Sequence, residues 1–381
     1  MLFLHFMKAN QSLHIVCFQN PYPPVYGGVI DVYYKVKALH ELGVKIYFHC
    51  FVDEKTPDIS ALENLTEAVY VYRRKFKFFK FFSRHPFSVV SRYSTQLYKN
   101  IGAIDAPILC EGLQSSFLLH KHAFPHRKKI LRLHNLESNY YSGLAESESN
   151  FFKKIILKSE AKKYANYQRV IARFDRVFTL SLFEQEYVKI HFGNGVYLPV
   201  FHGNTRIPDL PEFGDFAFYH GDLRLSDNRK AVAFLIEVFK NKPNYNLVIA
   251  SSQAAAFVKK LSEGYTHITY VALKSQNQLD TLLASAHINV MLSFQQSGTK
   301  LKTINSLLKS RHCIINPNMV DDLQIQALCT VASTAEDFSQ AIDDLRFEEF
   351  TEAHILQRKQ LAETLLSDQK NAQTILNYLE E

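Results

Sequence analysis

Tryptophan is absent from the 381 residues, although phenylalanine (30) and tyrosine (20) are abundant. Cysteine is scarce and odd in number. The five, at 17, 50, 110, 313 and 329, form no CxxC pair, and most lie inside apolar runs such as HIVCF, IYFHCF and PILCE. That pattern argues against a disulfide framework or a cysteine-based metal site, and it predicts buried free thiols in a reducing compartment. No run approaches the roughly 18–20 apolar residues that cross a bilayer. The opening MLFLHFMKANQSLHIVCF lacks a basic segment followed by a cleavage site, so it reads as the approach to a first strand and not as an export signal. Internal repeats, low-complexity tracts and coiled-coil heptads are missing too. So is acidic charge between Ala68 and Ile104, where eight Lys or Arg occur without one Asp or Glu. The net charge of +7 is concentrated there, beside phenylalanines and without a recognised nucleic-acid module, so no nucleic-acid partner is expected.

What remains is the composition of a globular protein, 47% hydrophobic and 21% charged, of a length that favours more than one domain. Apolar strand candidates recur at 13–18, 44–51, 69–72, 108–110, 130–133, 177–181 and 196–200. A second series follows at 216–219, 246–250, 268–271, 288–293, 312–315 and 329–332. Helix-length segments separate them, so the reading is α/β with two parallel sheets. The first helix is predicted over about 28–42, with Val29, Val32, Val36 and Leu39 as its apolar stripe and Gly43 at its end. HGNTRIPDLPEFGD, 202–215, has two prolines and few large apolar residues, and it marks the boundary. The expected domains are 1–205 and 206–350, followed by helices over 351–381 that in this kind of architecture cross back to the first domain.

Four stretches carry chemistry. PPVYGGVIDV places Gly27 and Gly28 in a turn after the first strand, where the lack of side chains lets backbone N–H groups approach a ligand. It is not the GxGxxG fingerprint, and a plain strand-to-helix turn is the alternative. HNLESNYY follows the strand KKILRL, so His134 stands at the open edge of a parallel sheet. It serves there either as a structural histidine or as a hydrogen-bonding partner of a substrate. Glu137 then begins a helix. In the second half, strand 216–219 runs into HGDLRLSDNRK. Arg224, Arg229 and Lys230 flank a helix start suited to a pyrophosphate, or else form a solvated face. SGTKLKTINSLLK adds Lys300 and Lys302, of which one at most points at a given ligand. No clustered metal ligands are visible, and no Asp/Glu pair falls at the strand ends, which argues against a paired-carboxylate glycosidase.

GG at 27–28, LRLHNLES at 131–138, FYHGDLRLSDNRKAVAFL at 218–235 and GTKLKTINSLLKSRHCIIN at 298–316 occur together in one order. In this combination the chain resembles the retaining nucleotide-sugar glycosyltransferases of family 4, over about residues 10–350. The resemblance implies a GT-B fold, two Rossmann-like domains with parallel sheets facing a cleft. It implies a UDP- or GDP-sugar donor, no cofactor, no required metal, and a glycan or lipid-linked acceptor. His134, Lys230 and Lys300 become the catalytic candidates. Gly27, Gly28, Arg224, Arg229, Ser297, Lys302 and Asn305 become the donor-binding ones. The family's two glutamates fall at Ser297 and Asn305, neither acidic. This leaves an active but divergent transferase, one with altered donor preference, or a non-catalytic homologue. Finally, residues 73–87, rich in Lys, Arg and Phe, are expected to contact anionic membrane if helical.

Overall fold

The computed structural model describes residues 11–76, 78–148, 150–295 and 299–381. Two compact units emerge. One holds the chain to Ala145, Asn150–Gly203 and Leu365–Glu381, and the other is built on Asn204–Thr364.

The first unit carries seven parallel strands: β1 (Ser12–Cys17), β2 (Lys45–Val52), β3 (Ala68–Arg73), β4 (Ile108–Glu111), β5 (Lys129–Leu133), β6 (Arg176–Thr179) and β7 (Gly195–Tyr197). Their order is β3-β2-β1-β4-β5-β6-β7. Strands such as SLHIVC and ILCE are buried almost throughout, as expected of a sheet covered on both faces. Helix α1 (Gly27–Glu41) lays Val29, Val32, Val36 and Leu39 into one of the two apolar layers. Gly43, at φ +84°, ends it in the left-handed conformation that only glycine adopts freely. Helices α2 (Glu137–Ser147) and α3 (Phe151–Tyr167) follow β5, and Tyr164 and Tyr167 of α3 join the other layer. The final helix, Asp368–Glu380, packs Ala372, Ile375, Leu376 and Leu379 into the α1 layer.

The second unit carries six parallel strands: β8 (Ala217–His220), β9 (Leu247–Ser251), β10 (Ile268–Ala272), β11 (Ile288–Met291), β12 (His312–Ile315) and β13 (Thr330–Val331). Their order is β10-β9-β8-β11-β12-β13. Helix α4 (Ser226–Phe239) follows β8, and α5 (Leu301–Lys309) lies between β11 and β12. Both sheets are doubly wound. The direction of winding reverses between β1 and β4 in one unit and between β8 and β11 in the other. Loops leave the carboxyl ends of those neighbours in opposite directions and open a crevice, which is where α/β sheets bind ligands.

One local expectation fails. Among the described residues of 73–87 no continuous helix forms: β3 ends at Arg73, a 3-10 turn spans Phe78–Phe82, and Pro86 caps a short helix that begins at Phe87, while Lys77 lies outside the described residues. Pro86 disfavours helical backbone at His85, and the dense aromatics add little helix propensity to offset it. The basic residues are partly engaged, since Arg74 pairs with Asp53 at 2.8 Å and Lys80 donates to the Val90 carbonyl at 2.6 Å. Phe76, Phe79, Phe81 and Phe82 remain exposed. Cys17, Cys50, Cys110 and Cys313 are buried free thiols, and Cys329 is half-buried. Among the described residues no helix is long and apolar enough to cross a membrane.

Candidate active-site clusters

At the first crevice the carboxyl ends of β4 and β5 bring Glu111 and His134 beside α1. Asp31 and Lys35, one turn apart on α1, are both completely buried. Lys35 Nζ donates to Asp31 at 2.9 Å and to both Glu111 oxygens at 2.8 and 3.0 Å. Arg132, a buried guanidinium inside β5, grips Asp31 with Nε and Nη2 at 3.1 and 2.7 Å. Its remaining donors reach the Leu198 and Pro199 carbonyls at 2.6 and 2.9 Å, and the Phe201 N–H donates to Asp31 at 2.9 Å. Two carboxylates and two cations thus neutralise each other in the interior, which is the condition under which buried charge is tolerated. Burial alone would raise both carboxyl pKa values. For Asp31 it is outweighed by Arg132 and Lys35, and for Glu111 by Lys35 and the His134 contact, so both lie below the usual range.

An ionised Glu111 can only accept hydrogen bonds, and that assigns the His134 tautomer. His134 Nε2, 3.1 Å from Glu111 Oε2, must carry the proton. In its neutral form the ring then presents Nδ1 as an acceptor. Nδ1 lies 3.6 Å from where a side chain at Gly28 would begin, so the glycine keeps the approach to it open. Tyr26, the residue preceding α1, supplies no side-chain cap, and the first N–H groups of the helix stay available. The crevice therefore offers donors from a helix end and one oriented acceptor.

Asp31, Glu111 and His134 also converge closely enough to suggest a metal site that sequence spacing does not reveal. The donor set does not fit one, because the Lys35 ammonium already stands between the two carboxylates where a cation would sit. The same network adds a carboxylate pair that strand-end inspection does not reveal. Glu111 does end a strand, and it is paired not with a second strand-end carboxylate but with Asp31 from α1; both are held ionised by cations, so neither can act as the general acid a glycosidase needs. Nearby, Glu137 starts α2 fully buried, and burial pushes its pKa up to about 7, helped by Glu184 and opposed by Gln114 and Arg92.

The second crevice is arranged differently. His220 ends β8, is buried, and its Nε2 has no hydrogen-bond partner among the described residues. Burial, and secondarily Lys302, lowers its pKa to about 3, so the ring is neutral. Lys302, in the first turn of α5, lies over the Tyr219 ring at 4.9 Å and donates to Asn228 Oδ1 at 3.4 Å. No carboxylate among the described residues pairs with it. Burial, with a smaller contribution from Lys300, lowers its pKa to about 8 against the pull of Asp227. Asp227 is occupied by Ser293 Oγ and the Phe294 N–H, both at 2.9 Å. Gly221 matters because a Cβ there would press on Asn228 and the Tyr219 hydroxyl, each at 3.1 Å. Leu225 and Lys300, the residues preceding α4 and α5, provide no side-chain cap. By contrast Ser94, Asn150, Ser181, Ser275 and Ser367 cap their helices. Two uncapped helix starts, an unpaired half-buried ammonium and an orphaned ring nitrogen form a region suited to an anion.

The sequence-predicted residues divide accordingly. Gly27, Gly28 and His134 meet in the first unit, and Lys302 anchors the second cluster. Lys300 caps α5 only through its backbone, and Lys230 is exposed on the second turn of α4. Arg224 is turned away into a pair with Asp222 at 2.7 Å, and exposed Arg229 donates to the Leu223 carbonyl at 2.7 Å. Asn305 Oδ1 accepts from Asn204 at 3.0 Å. Ser297 lies outside the described residues. Sequence reading missed Asp31, Lys35, Glu111, Arg132 and His220. The available signal was charge or imidazole inside otherwise apolar strands: KILRL, ILCE and FYH.

These paired seven- and six-stranded parallel sheets, alternating with helices, are the GT-B architecture, and similar solved structures are GT-B glycosyltransferases. Sucrose-phosphate synthase from Thermosynechococcus elongatus superposes with a TM-score of 0.72 at 15% identity, covering 97% of this chain and 98% of that one. TarM superposes at 0.66 and 10% identity over 98% and 99%, and another TarM structure, from S. aureus, contains UDP. WaaG, a glycosyltransferase involved in lipopolysaccharide biosynthesis, gives 0.62 and 14% over 95% and 99%. By sequence the chain is 23% identical over 321 residues to an uncharacterized 44.6 kDa protein in the cps region of Klebsiella pneumoniae, spanning 77% of this chain and 79% of that protein. No protein-family profile matches.

Proposed function

We propose that the protein transfers a sugar from a UDP- or GDP-sugar to a glycan or lipid-linked acceptor, with retention at the anomeric carbon, as a member of glycosyltransferase family 4 acting in cell-surface polysaccharide synthesis. The observation that carries this reading is the unsatisfied cluster at the second crevice. Lys302, the His220 nitrogen and two uncapped helix starts together meet the demands of a diphosphate. The acceptor hydroxyl attacks the anomeric carbon on the face the diphosphate leaves. The carbon–phosphate oxygen bond breaks, and the hydroxyl proton passes to the departing phosphate oxygen. Lys302, with Lys230 and Lys300 supplying further positive charge, stabilises the oxygen charge that develops, a role a metal fills elsewhere. His134, with its proton fixed on Nε2, accepts from a sugar hydroxyl through Nδ1. Support for the setting comes from the cps-region relative and from WaaG. We place the protein in the cytoplasm, with peripheral contact to anionic membrane through the exposed Phe76, Phe79, Phe81 and Phe82 of the 73–87 stretch, a contact that rests on their exposure and not on a helix.

Calorimetry with UDP, GDP and their sugar conjugates, with and without EDTA, tests the reading. Saturable binding that survives EDTA is expected, and no binding in any condition sinks it. The committed Asn305 side chain favours a second reading, a homologue that binds nucleotide sugar without transferring it. Binding with neither transfer nor donor hydrolysis would select that one.

A further inference from the structure

The first unit contains a second cavity, of about 690 Å³, to which no residue of the His134 network contributes. It lies among the Phe82–His85 turn, the carboxyl-terminal half of α3 and the 3-10 segment that follows it. Five of its thirteen lining residues are Lys or Arg, and none is Asp or Glu. Two of the five are committed. Lys163 donates to Glu160 and the Phe81 carbonyl at 2.9 and 2.7 Å, and Arg173 donates to the Leu119 and His120 carbonyls, both at 2.9 Å. Arg84, Lys162 and Arg169 have no ion-pair partner among the described residues, so three cations converge on one hollow with nothing to neutralise them. Such convergence raises the local potential and is stabilised by a bound counter-charge. His85 and His120 face each other there with ring centroids 4.7 Å apart. Burial lowers both pKa values, assisted at His85 by Lys121 and at His120 by His85, Arg173 and Lys121. At the edge Phe82 lines the cavity with 77% of its surface exposed, and nearby Phe79 is 83% exposed. The volume suits a ligand headgroup, and exposed aromatics beside a basic hollow suit an amphiphile.

We propose that this cavity binds a phosphate- or diphosphate-bearing headgroup, with Arg84, Lys162 and Arg169 on the phosphate oxygens and Phe82 against the apolar portion. The proposal does not depend on the transfer reaction. The headgroup belongs either to a lipid in a bilayer or to a soluble phosphate ester, and the experiment separates the two. Inorganic pyrophosphate is titrated into the full-length protein while the His85 and His120 ring resonances are followed. Sedimentation is run in parallel with vesicles of phosphatidylcholine alone or mixed with phosphatidic acid. Both rings should shift saturably, and Arg84→Glu with Arg169→Glu should weaken the response about a hundredfold, as expected for two lost charge-assisted contacts. Lys259→Glu with Lys260→Glu makes the same charge change on the exposed face of a helix in the other unit, and it should leave the response unchanged. Vesicle binding that requires phosphatidic acid and disappears in the arginine variant assigns the lipid source. A ring response without vesicle binding assigns the soluble ester. No response to either probe, or equal losses in the two double variants, overturns the proposal. Because the readout sits at His85 and His120, a failure of nucleotide binding at Lys302 would not imitate either result.

Discussion

The two crevices occupy equivalent places in their sheets yet handle charge in opposite ways. In the first, Asp31 and Glu111 are matched by Lys35 and Arg132, and the hydrogen bonds close on one another. In the second, Lys302 leans on an amide oxygen and an aromatic face while His220 Nε2 has no partner among the described residues. A closed network spends its charge on holding geometry, and here it fixes one imidazole tautomer and the 198–201 segment. An incompletely satisfied one retains the capacity to recognise something else. Buried polar groups are nearly always satisfied, so an orphaned one such as His220 Nε2 is consistent with the donor site proposed above.

The sharpest way to break the contrast is Lys35→Met. Removing the shared cation strands the buried Glu111 carboxylate and leaves Asp31 on Arg132 alone, and stability should fall by about 3–5 kcal/mol, read from denaturant unfolding followed in the first unit. A loss below about 1 kcal/mol would mean the network is not a mutually dependent ionic cluster.

Next comes Lys302→Ala, which should weaken nucleoside diphosphate binding by about 1.5–3 kcal/mol, against about 1 kcal/mol for Asn305→Ala. The sign of the pH effect follows from the depressed pKa of Lys302, about 8 in the free protein. A bound diphosphate favours the charged form, so affinity is full below that value and declines as pH rises through it, with proton uptake on binding near pH 8. The Lys302→Ala variant should lose this decline. If its pH profile matches the parent, another group carries the charge.

An energetic effect smaller than that of either lysine variant, and the most specific one, belongs to Glu111→Gln, at about 1–2 kcal/mol of stability. Glutamine keeps one oxygen, and the Lys35 cation claims it. The amide NH₂ must then face His134 Nε2 and donate to it, moving the ring proton to Nδ1. Side-chain ¹⁵N spectra should show His134 protonated on Nε2 in the parent and on Nδ1 in the variant. An unchanged tautomer would show that Glu111 does not orient the ring.

Much of the fold was legible before any coordinates. Both strand series and the turn–helix starts at Gly27 and Leu301 follow from apolar runs punctuated by glycine and short polar stretches, which are local signals. The aromatic-basic stretch at 73–87 misled because its alternation of Phe and Lys imitates an amphipathic helix, while one proline and the strand preceding it decide the backbone. Arg224 shows a related limit. A cation beside a helix start reads as an anion ligand, and the pattern does not show that an aspartate two residues earlier pairs with it. The Asp31–Lys35 pair stayed hidden because opposite charges one turn apart ordinarily mark a solvated helix face.

Sequence alone determined the α/β class, the two sheets, the order of their elements and the turns from which a ligand could be reached, since these depend on periodicities within about ten to twenty residues. Tertiary structure alone decided which charges are already spent. Lys35 meets Glu111 across 76 residues and Arg132 meets Asp31 across 101. No local pattern encodes such pairings, because whether a charge is matched depends on what the folded sheet brings beside it and on how much water that leaves.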